Sequence, residues 1–306
     1  MAEKKEKTIA EMKATSLRRK NALIGYSFIA PNFIGFAIFI LFPVLFTIAL
    51  SVMDWDGFNA MQFAGLDNFQ SIFRDRVFKS SFWLTLVYVV FTVALTLLAS
   101  LGLACALNKK ITGRDAFRAA IFFPYVASMI AIGAVWKQLF EASNGPINHL
   151  LRTIGISNPP GWFSSTDWAI WGVIIVAIWK YMGYYMLIYL AGLQDIPAQL
   201  YEAATLDGAT GWQRFMKITL PMLTPSTFFV FIMLTINSFK SFDLIYALTQ
   251  GGPGTSTTLL SNYIYNQTFV YWDYGKSAAA SIILFVIVLA VTIVQFRGEK
   301  KFTDYL

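Results

Sequence analysis

The chain is short of the residues on which most covalent chemistry depends. One cysteine, Cys105, and one histidine, His149, stand among 306 residues. That excludes a disulfide framework and any zinc site built from several Cys or His ligands, and it leaves no visible nucleophile and base pair. Charge is scarce too: 13% of residues are Asp, Glu, Lys or Arg, about half the roughly 25% usual in a soluble globular chain. A soluble enzyme is therefore not expected. There is also no low-complexity tract and no internal repeat with a period of about 20 to 50 residues. What remains is apolar. At 57% hydrophobic, the chain gathers these residues into runs near or above the roughly 18 uncharged positions that cross a hydrocarbon core about 30 Å thick. The pattern is that of an all-helical, multi-pass membrane protein.

Stretches free of charged residues run from Asn21 to Met53, Ser80 to Leu107, Ala119 to Trp136, Ile218 to Phe239 and Ser277 to Phe296, and a sixth, Trp168 to Leu193, is broken by Lys180 alone. They predict spans at about 24–53, 80–107, 119–137, 168–193, 218–239 and 277–297, within one membrane domain, 21–300, that follows a basic tail, 1–20. Pro31 and Pro43 are expected to kink or delimit the first span. Its apolar run is far longer than a signal-peptide core of about 7 to 15 residues, so it reads as uncleaved.

Six crossings put both termini on one side, and the uneven distribution of Lys and Arg between the loops identifies that side. Lys4, Lys5, Lys7, Lys13, Arg18, Arg19 and Lys20 of the tail, Lys109, Lys110, Arg114, Arg118, Arg214, Lys217, Arg297, Lys300 and Lys301 fall on one face. Arg74, Arg76, Lys79, Lys137, Arg152, Lys240 and Lys276 fall on the other. The richer face is expected to be cytoplasmic. The net charge of +7 then needs no nucleic acid to explain it, and the tail reads as a mobile, lipid-attracted arm. Trp55, Trp83, Trp136, Trp162, Trp168, Trp171 and Trp272 cluster near the outer span ends, where indoles settle at headgroup level; Trp179 is mid-membrane. The outer connections carry the Gly/Pro punctuation and read as loops with short helices.

A transporter needs an energy source. The phosphate-binding pattern G-x-x-x-x-G-K-[ST] is approached only by Gly275-Lys276-Ser277, with Val270 where its first glycine belongs and at an outer span end. The chain is expected to bind no ATP. An ion gradient would call for ionisable groups among the spans, and Lys180 is the clear instance, with Asp243 near an outer end.

The long inner connection, 197–221, is distinctive. Pro197 suits the first turn of a helix, Ala203 and Ala204 are strong helix formers, and Gly208 supplies the positive φ that ends one. Leu200, Ala203, Ala204 and Asp207 fall at i, i+3, i+4 and i+7, a narrow stripe that another surface can approach closely, with the charge of Glu202 beside it. An ordinary amphipathic connector helix has the same pattern.

Glu202-Ala203-Ala204, then three residues, Gly208, nine residues, Ile218, one residue and Leu220-Pro221 resembles the EAA loop of importer-type ABC transporter permeases. The likeness continues through Ser51 to Gly57, Gly65 to Phe69, Phe122 to Tyr125, Ala191 to Pro197, Phe242 to Tyr246 and Gly251-Gly252-Pro253, and resembles in particular the binding-protein-dependent carbohydrate permeases related to the maltose permease subunits. The resemblance implies a type I fold of six transmembrane helices in a bacterial or archaeal cytoplasmic membrane. It implies that the helix carrying Glu202, Ala203, Ala204, Asp207 and Gly208 is a coupling helix docking in an ATPase subunit. The expected partners are a second homologous permease, an ABC ATPase dimer that itself holds ATP and magnesium, an extracytoplasmic solute-binding protein and a sugar, with glycerol phosphate as the alternative solute. No cofactor, metal or catalytic residue is expected in this chain. A gradient-driven carrier or a passive channel would leave the EAA match unexplained.

Sugars are held by aromatic faces and by amide, hydroxyl or charged groups. Trp179, Lys180, Tyr181 and Tyr184 in the fourth span, with Asn237, Ser238 and Ser241 in the fifth, are the candidate pathway residues. Asn237 and Ser241, four apart, are expected on one helical face. Each aromatic is equally consistent with helix packing. Lys180 is harder to place, since an unpaired mid-span lysine costs roughly 3 kcal/mol; it is expected to meet water, a carboxylate or a partner subunit.

Overall fold

The computed structural model describes the backbone of residues 2–109 and 111–303 and the side chains of residues 17–109 and 111–298. The basic side chains of Lys4, Lys5, Lys7, Lys13, Lys110, Lys300 and Lys301 lie outside the described residues. The chain begins with α1 (Ala2–Phe36), which runs through a π turn (Ala37–Leu41) into α2 (Phe42–Leu50). The tail read as an arm is thus helical backbone from Ala2, in keeping with its Ala, Glu, Lys and Met content. The helix also continues past both prolines. A helical proline crowds the carbonyl four residues back, and the π turn ahead of Pro43, closed by the Phe42 N–H on the Ala37 carbonyl, widens the spiral there.

A hairpin, β1 (Met53–Asp54) with β2 (Gln62–Phe63), and α3 (Asp67–Arg74) lead to α4 (Arg76–Leu107). The third crossing is not the straight helix expected over 119–137. It is α5 (Arg114–Val126) and α6 (Met129–Leu139), bent by 101°. Pro124 removes a hydrogen bond from the last turns of α5, and Ala127 leaves the helix in extended conformation. After α7 (Pro146–Thr153) comes α8 (Ala169–Gln194), then α9 (Ala198–Leu206), α10 (Gly211–Arg214), a second π turn (Phe215–Thr219) and α11 (Leu220–Met222). The fifth crossing, expected as one piece over 218–239, is bent by 64° where α12 (Thr224–Phe239) begins, between Pro221 and Pro225. The outer helices α13 (Asp243–Leu248) and α14 (Leu260–Phe269) precede α15 (Tyr274–Thr303). Among the described residues, four continuous stretches are long and apolar enough to cross a membrane, and there are six crossings if each bent pair is one.

The core is built around α8, against which α4, α5, α12 and α13 pack. The face that α4 turns inward is small and polar: Ser81, Thr85, Thr92, Thr96 and Ser100 are fully buried. Small hydroxyl residues let helix backbones approach in a bilayer, and Ser100 Oγ donates across to the Met182 carbonyl at 3.1 Å. Gly183 does the same for α5, since a Cβ there would run into the backbone of Ile121. By contrast, Leu50 is the one buried residue of α1 and α2 among the described side chains, lying where α2 packs on α15.

At the opposite end of the bundle from α9, Asp75 joins three elements. Its carboxylate caps α4, accepting the Val77 N–H at 2.8 Å. It also accepts the Tyr263 hydroxyl of α14 at 2.8 Å and meets Lys276 Nζ of α15 at 3.1 Å. Trp83, Trp168 and Trp272 near that end are exposed, as an interfacial belt requires. Trp162 departs from the expected belt: it is buried, stacks on Phe140 at 4.3 Å and donates to Asn148 at 2.6 Å. His149 is exposed on α7 and Cys105 half-buried in α4.

Candidate functional site

The EAA segment forms α9 as its propensities dictate, with Pro197 one position earlier than expected, as the N-cap. Gly208 adopts φ +76°, with open space around it. The Ala209 N–H closes on the Ala204 carbonyl at 2.9 Å and the Gly208 N–H on the Thr205 carbonyl at 3.1 Å, the turn by which a glycine ends a helix. No residue of α9 is buried. Glu202, Ala203, Asp207 and Gly208 are exposed, Ala204 is half-buried, and the apolar Leu206 is 89% exposed. Trp212 just beyond is 69% exposed. The loop is nevertheless ordered by its own bonds: a capping box at Thr210 and Gln213, Arg214 donating to Thr205 Oγ1 at 2.8 Å, and the Tyr201 and Thr219 hydroxyls bonded at 2.8 Å.

The candidate pathway residues separate into groups. Tyr181, Tyr184 and Asn237 converge: Tyr184 stacks on Tyr125 at 4.4 Å and lies edge-on to Tyr185 at 5.0 Å, Tyr125 meets Tyr181 edge-on at 6.4 Å, and Asn237 Nδ2 donates to the Tyr185 hydroxyl at 3.3 Å. The result is a cluster of four phenols and an amide, formed by the end of α5, by α8 and by α12, in which the Tyr185 ring is buried and Tyr125, Tyr181, Tyr184 and Asn237 keep open area. Tyr125 and Tyr185 were not among the candidates. Tyr185 continues the aromatic run of its helix, but the pairing of Tyr125 with a ring 59 positions along the chain has no local signal.

Three of the candidates are placed by contacts that the sequence does not show. Among the described residues Lys180 pairs with no carboxylate. Its buried Nζ donates to the carbonyls of Pro124 at 3.0 Å, Tyr125 at 3.2 Å and Ala127 at 3.3 Å. The last carbonyls of a helix have no partner within it, and here a lysine from the neighbouring crossing supplies the donors. Trp179 turns from the tyrosines and packs edge-on against Trp136 of α6 at 5.2 Å. Asn237 and Ser241 do not share a helical face, because α12 ends at Phe239, between two serines whose hydroxyls compete with helical bonding. Asn237 is exposed, whereas Ser238 and Ser241 are buried, and Ser241 Oγ bonds the Tyr88 hydroxyl of α4 at 3.1 Å. Asp243 stands in the first turn of α13, where a carboxylate complements the helix dipole.

An exposed, ordered loop, a polar aromatic cluster and broken third and fifth crossings are in keeping with a transport subunit. Residues 99–304 match the family described as binding-protein-dependent transport system inner membrane component, and the chain belongs to that family. It is 36% identical over 298 residues to the lactose transport system permease protein LacF of Rhizobium radiobacter, covering 96% of this chain and 99% of that one. It is 35% identical to the sn-glycerol-3-phosphate transport system permease protein UgpA of Agrobacterium fabrum, covering 93% and 97%. Its fold aligns with a crystal structure of a bacterial ABC transporter involved in the import of the acidic polysaccharide alginate, at 25% identity and a TM-score of 0.80, covering 92% and 96%. The chain is thus a membrane permease of an ABC importer, and a gradient-driven carrier is set aside.

Proposed function

We propose that this subunit forms half of the pathway for a sugar of the oligosaccharide class, and that α9 is the segment through which a partner ATPase drives it. The observation that carries the coupling reading is the exposure of α9: a helix with no buried residue, bearing Leu206 bare to solvent at the end of an otherwise packed bundle. A single bare leucine is ordinary, but Leu200, Leu206 and Trp212 are all exposed on one loop that its own hydrogen bonds hold in order, and these are the apolar side chains a partner surface would cover. The asymmetry of basic residues supports a cytoplasmic location for α9 and both termini. On this reading each of two similar permeases docks one copy of an ATPase, which holds ATP and magnesium, and a solute-binding protein delivers the sugar to the opposite face. Lipid surrounds the rest.

The phenols of Tyr125, Tyr181 and Tyr184, with the Asn237 amide that the buried Tyr185 hydroxyl holds in place, offer ring faces and hydrogen bonds of the kind that hold a sugar. The lactose and alginate systems among its relatives support that class. The glycerol-phosphate relative favours a phosphate ester instead. Against it stands Lys180, the mid-span cation, whose ammonium is engaged by three backbone carbonyls and is not free for a phosphate.

The test is a mild-detergent pull-down from native membranes, with mass spectrometry and ATPase assay of the eluate. A second permease and an ATPase are expected with the wild-type chain. Gly208→Pro, which alters the helix end outside the bilayer, should lose the ATPase and abolish uptake while the protein still inserts; Glu202→Lys should abolish uptake likewise. Uptake that survives both changes rules out the coupling role.

A further inference from the structure

We infer that Tyr201 and Thr219 are positioning residues that make the EAA loop and the start of the fifth crossing one rigid lever, pivoting at Leu223. The inference rests on the proposed coupling role of α9 and extends it to the route by which its motion reaches the bundle.

Two side-chain bonds tie α9 to the segment that follows it. The Tyr201 hydroxyl bonds Thr219 Oγ1 at 2.8 Å, joining the middle of α9 to the last residue of the π turn. Arg214 Nη1 donates at 2.8 Å to Thr205 Oγ1, which itself donates at 2.7 Å to the Tyr201 carbonyl. Thr219 is buried although the loop around it is exposed. These bonds close a loop of chain upon itself, so α9, α10, the π turn and α11 move together.

The next residues are built to bend. Pro221 and Pro225 have no N–H, so the carbonyls four residues before each lack their helical donor, and the axis turns by 64° between them. Leu223 at the turn is fully buried. It lies against Gly192 of α8, where a Cβ would come within 3.1 Å of Leu223 Cδ2 and would also collide with Ser226 Oγ. A lever, a joint with few backbone bonds and a smooth seat for it therefore follow one another along the chain. Without the Tyr201–Thr219 bond, motion of α9 would be absorbed in the loop and would not rotate α12, which carries Asn237.

The test uses the complex purified from native membranes in nanodiscs, with spin labels on α8 and α12 at Ile175→Cys and Phe229→Cys in a Cys105→Ser background. The inter-label distance is read by pulsed electron resonance without nucleotide and after trapping with ATP and vanadate. Tyr201→Phe and Thr219→Val should each remove more than half of the nucleotide-driven change, while the ATPase still co-purifies and hydrolyses ATP within twofold of the wild-type rate. The double variant should be no worse than either single one, as expected of one shared bond, and Thr219→Ser, which keeps the hydroxyl, should behave as wild type. A full distance change in both single variants overturns the inference. Loss of the ATPase from them also overturns it, because the pair would then belong to the docking surface. Absence of the ATPase from the wild-type preparation instead defeats the coupling reading itself, and this inference with it.

Discussion

Lys180 resolves a conflict between composition and environment. A lysine in the middle of an apolar helix demands a partner, and the partner is the end of a neighbouring helix: the carbonyls of Pro124 and Tyr125, left without helical donors where α5 ends at Val126, and that of Ala127 just beyond. The two irregularities are each other's remedy. Hydrogen bonds to a charged donor contribute about 1.5–3 kcal/mol each, and an unmet buried acceptor costs a comparable amount. Lys180→Met should therefore lower the unfolding midpoint of the purified protein by on the order of 5 °C, read by thermal scanning in detergent, and Lys180→Arg should recover part of the loss. An unchanged midpoint for the Met variant would mean that the break stands without the clasp. The sequence makes this lysine conspicuous and leaves its partner invisible, because the acceptors are main-chain atoms more than fifty residues away.

Among the elements, crossings are legible and their breaks are not. A run without charge reports where an apolar helix lies whatever its shape, so the four continuous stretches and the two bent pairs all overlap runs read from composition. Pro124 and Pro221 sit inside such runs, and a proline there is compatible with a kink, a bulge or a full bend; which one occurs depends on the helices packed alongside. The end of α12 carried no glycine or proline to mark it, and so Asn237 and Ser241 were put on one face in error. The end of α9 was marked by Gly208, and there the reading held. Close approach of elements has its own signature in Gly183. Gly183→Leu should force α8 away from the Ile121 backbone and cost about 1–3 kcal/mol by overpacking. Its check is a lower yield of folded protein in size-exclusion chromatography, with Gly183→Ala lowering it as well because its Cβ alone meets the Ile121 backbone; wild-type yields for both variants would disprove so tight a seam.

Taken whole, the molecule is tied together at one end and open at the other. Asp75 binds the starts of α4 and α15 through α14. Burial pushes its carboxyl up, but the Tyr263 hydroxyl, the Lys276 ammonium and the Val77 N–H outweigh burial and hold it below the ordinary value of 3.8. A carboxyl more acidic in the folded chain than in the unfolded one contributes its stability above the unfolded value and loses it as the pH falls through the folded one. The unfolding midpoint should accordingly drop as acid is added below that ordinary value, and Asp75→Asn should lower it at neutral pH and flatten its acid dependence; an unchanged slope would deny Asp75 that role. The Lys180 clasp also bears on how the protein is made. Ribosomes release the chain from its N-terminus, so α5, with its open carbonyls, reaches the membrane before α8 brings the lysine that fills them. The costly charge is the later arrival and finds its acceptors already waiting, so biogenesis never has to hold an unpaired lysine in lipid while its partner is still being translated.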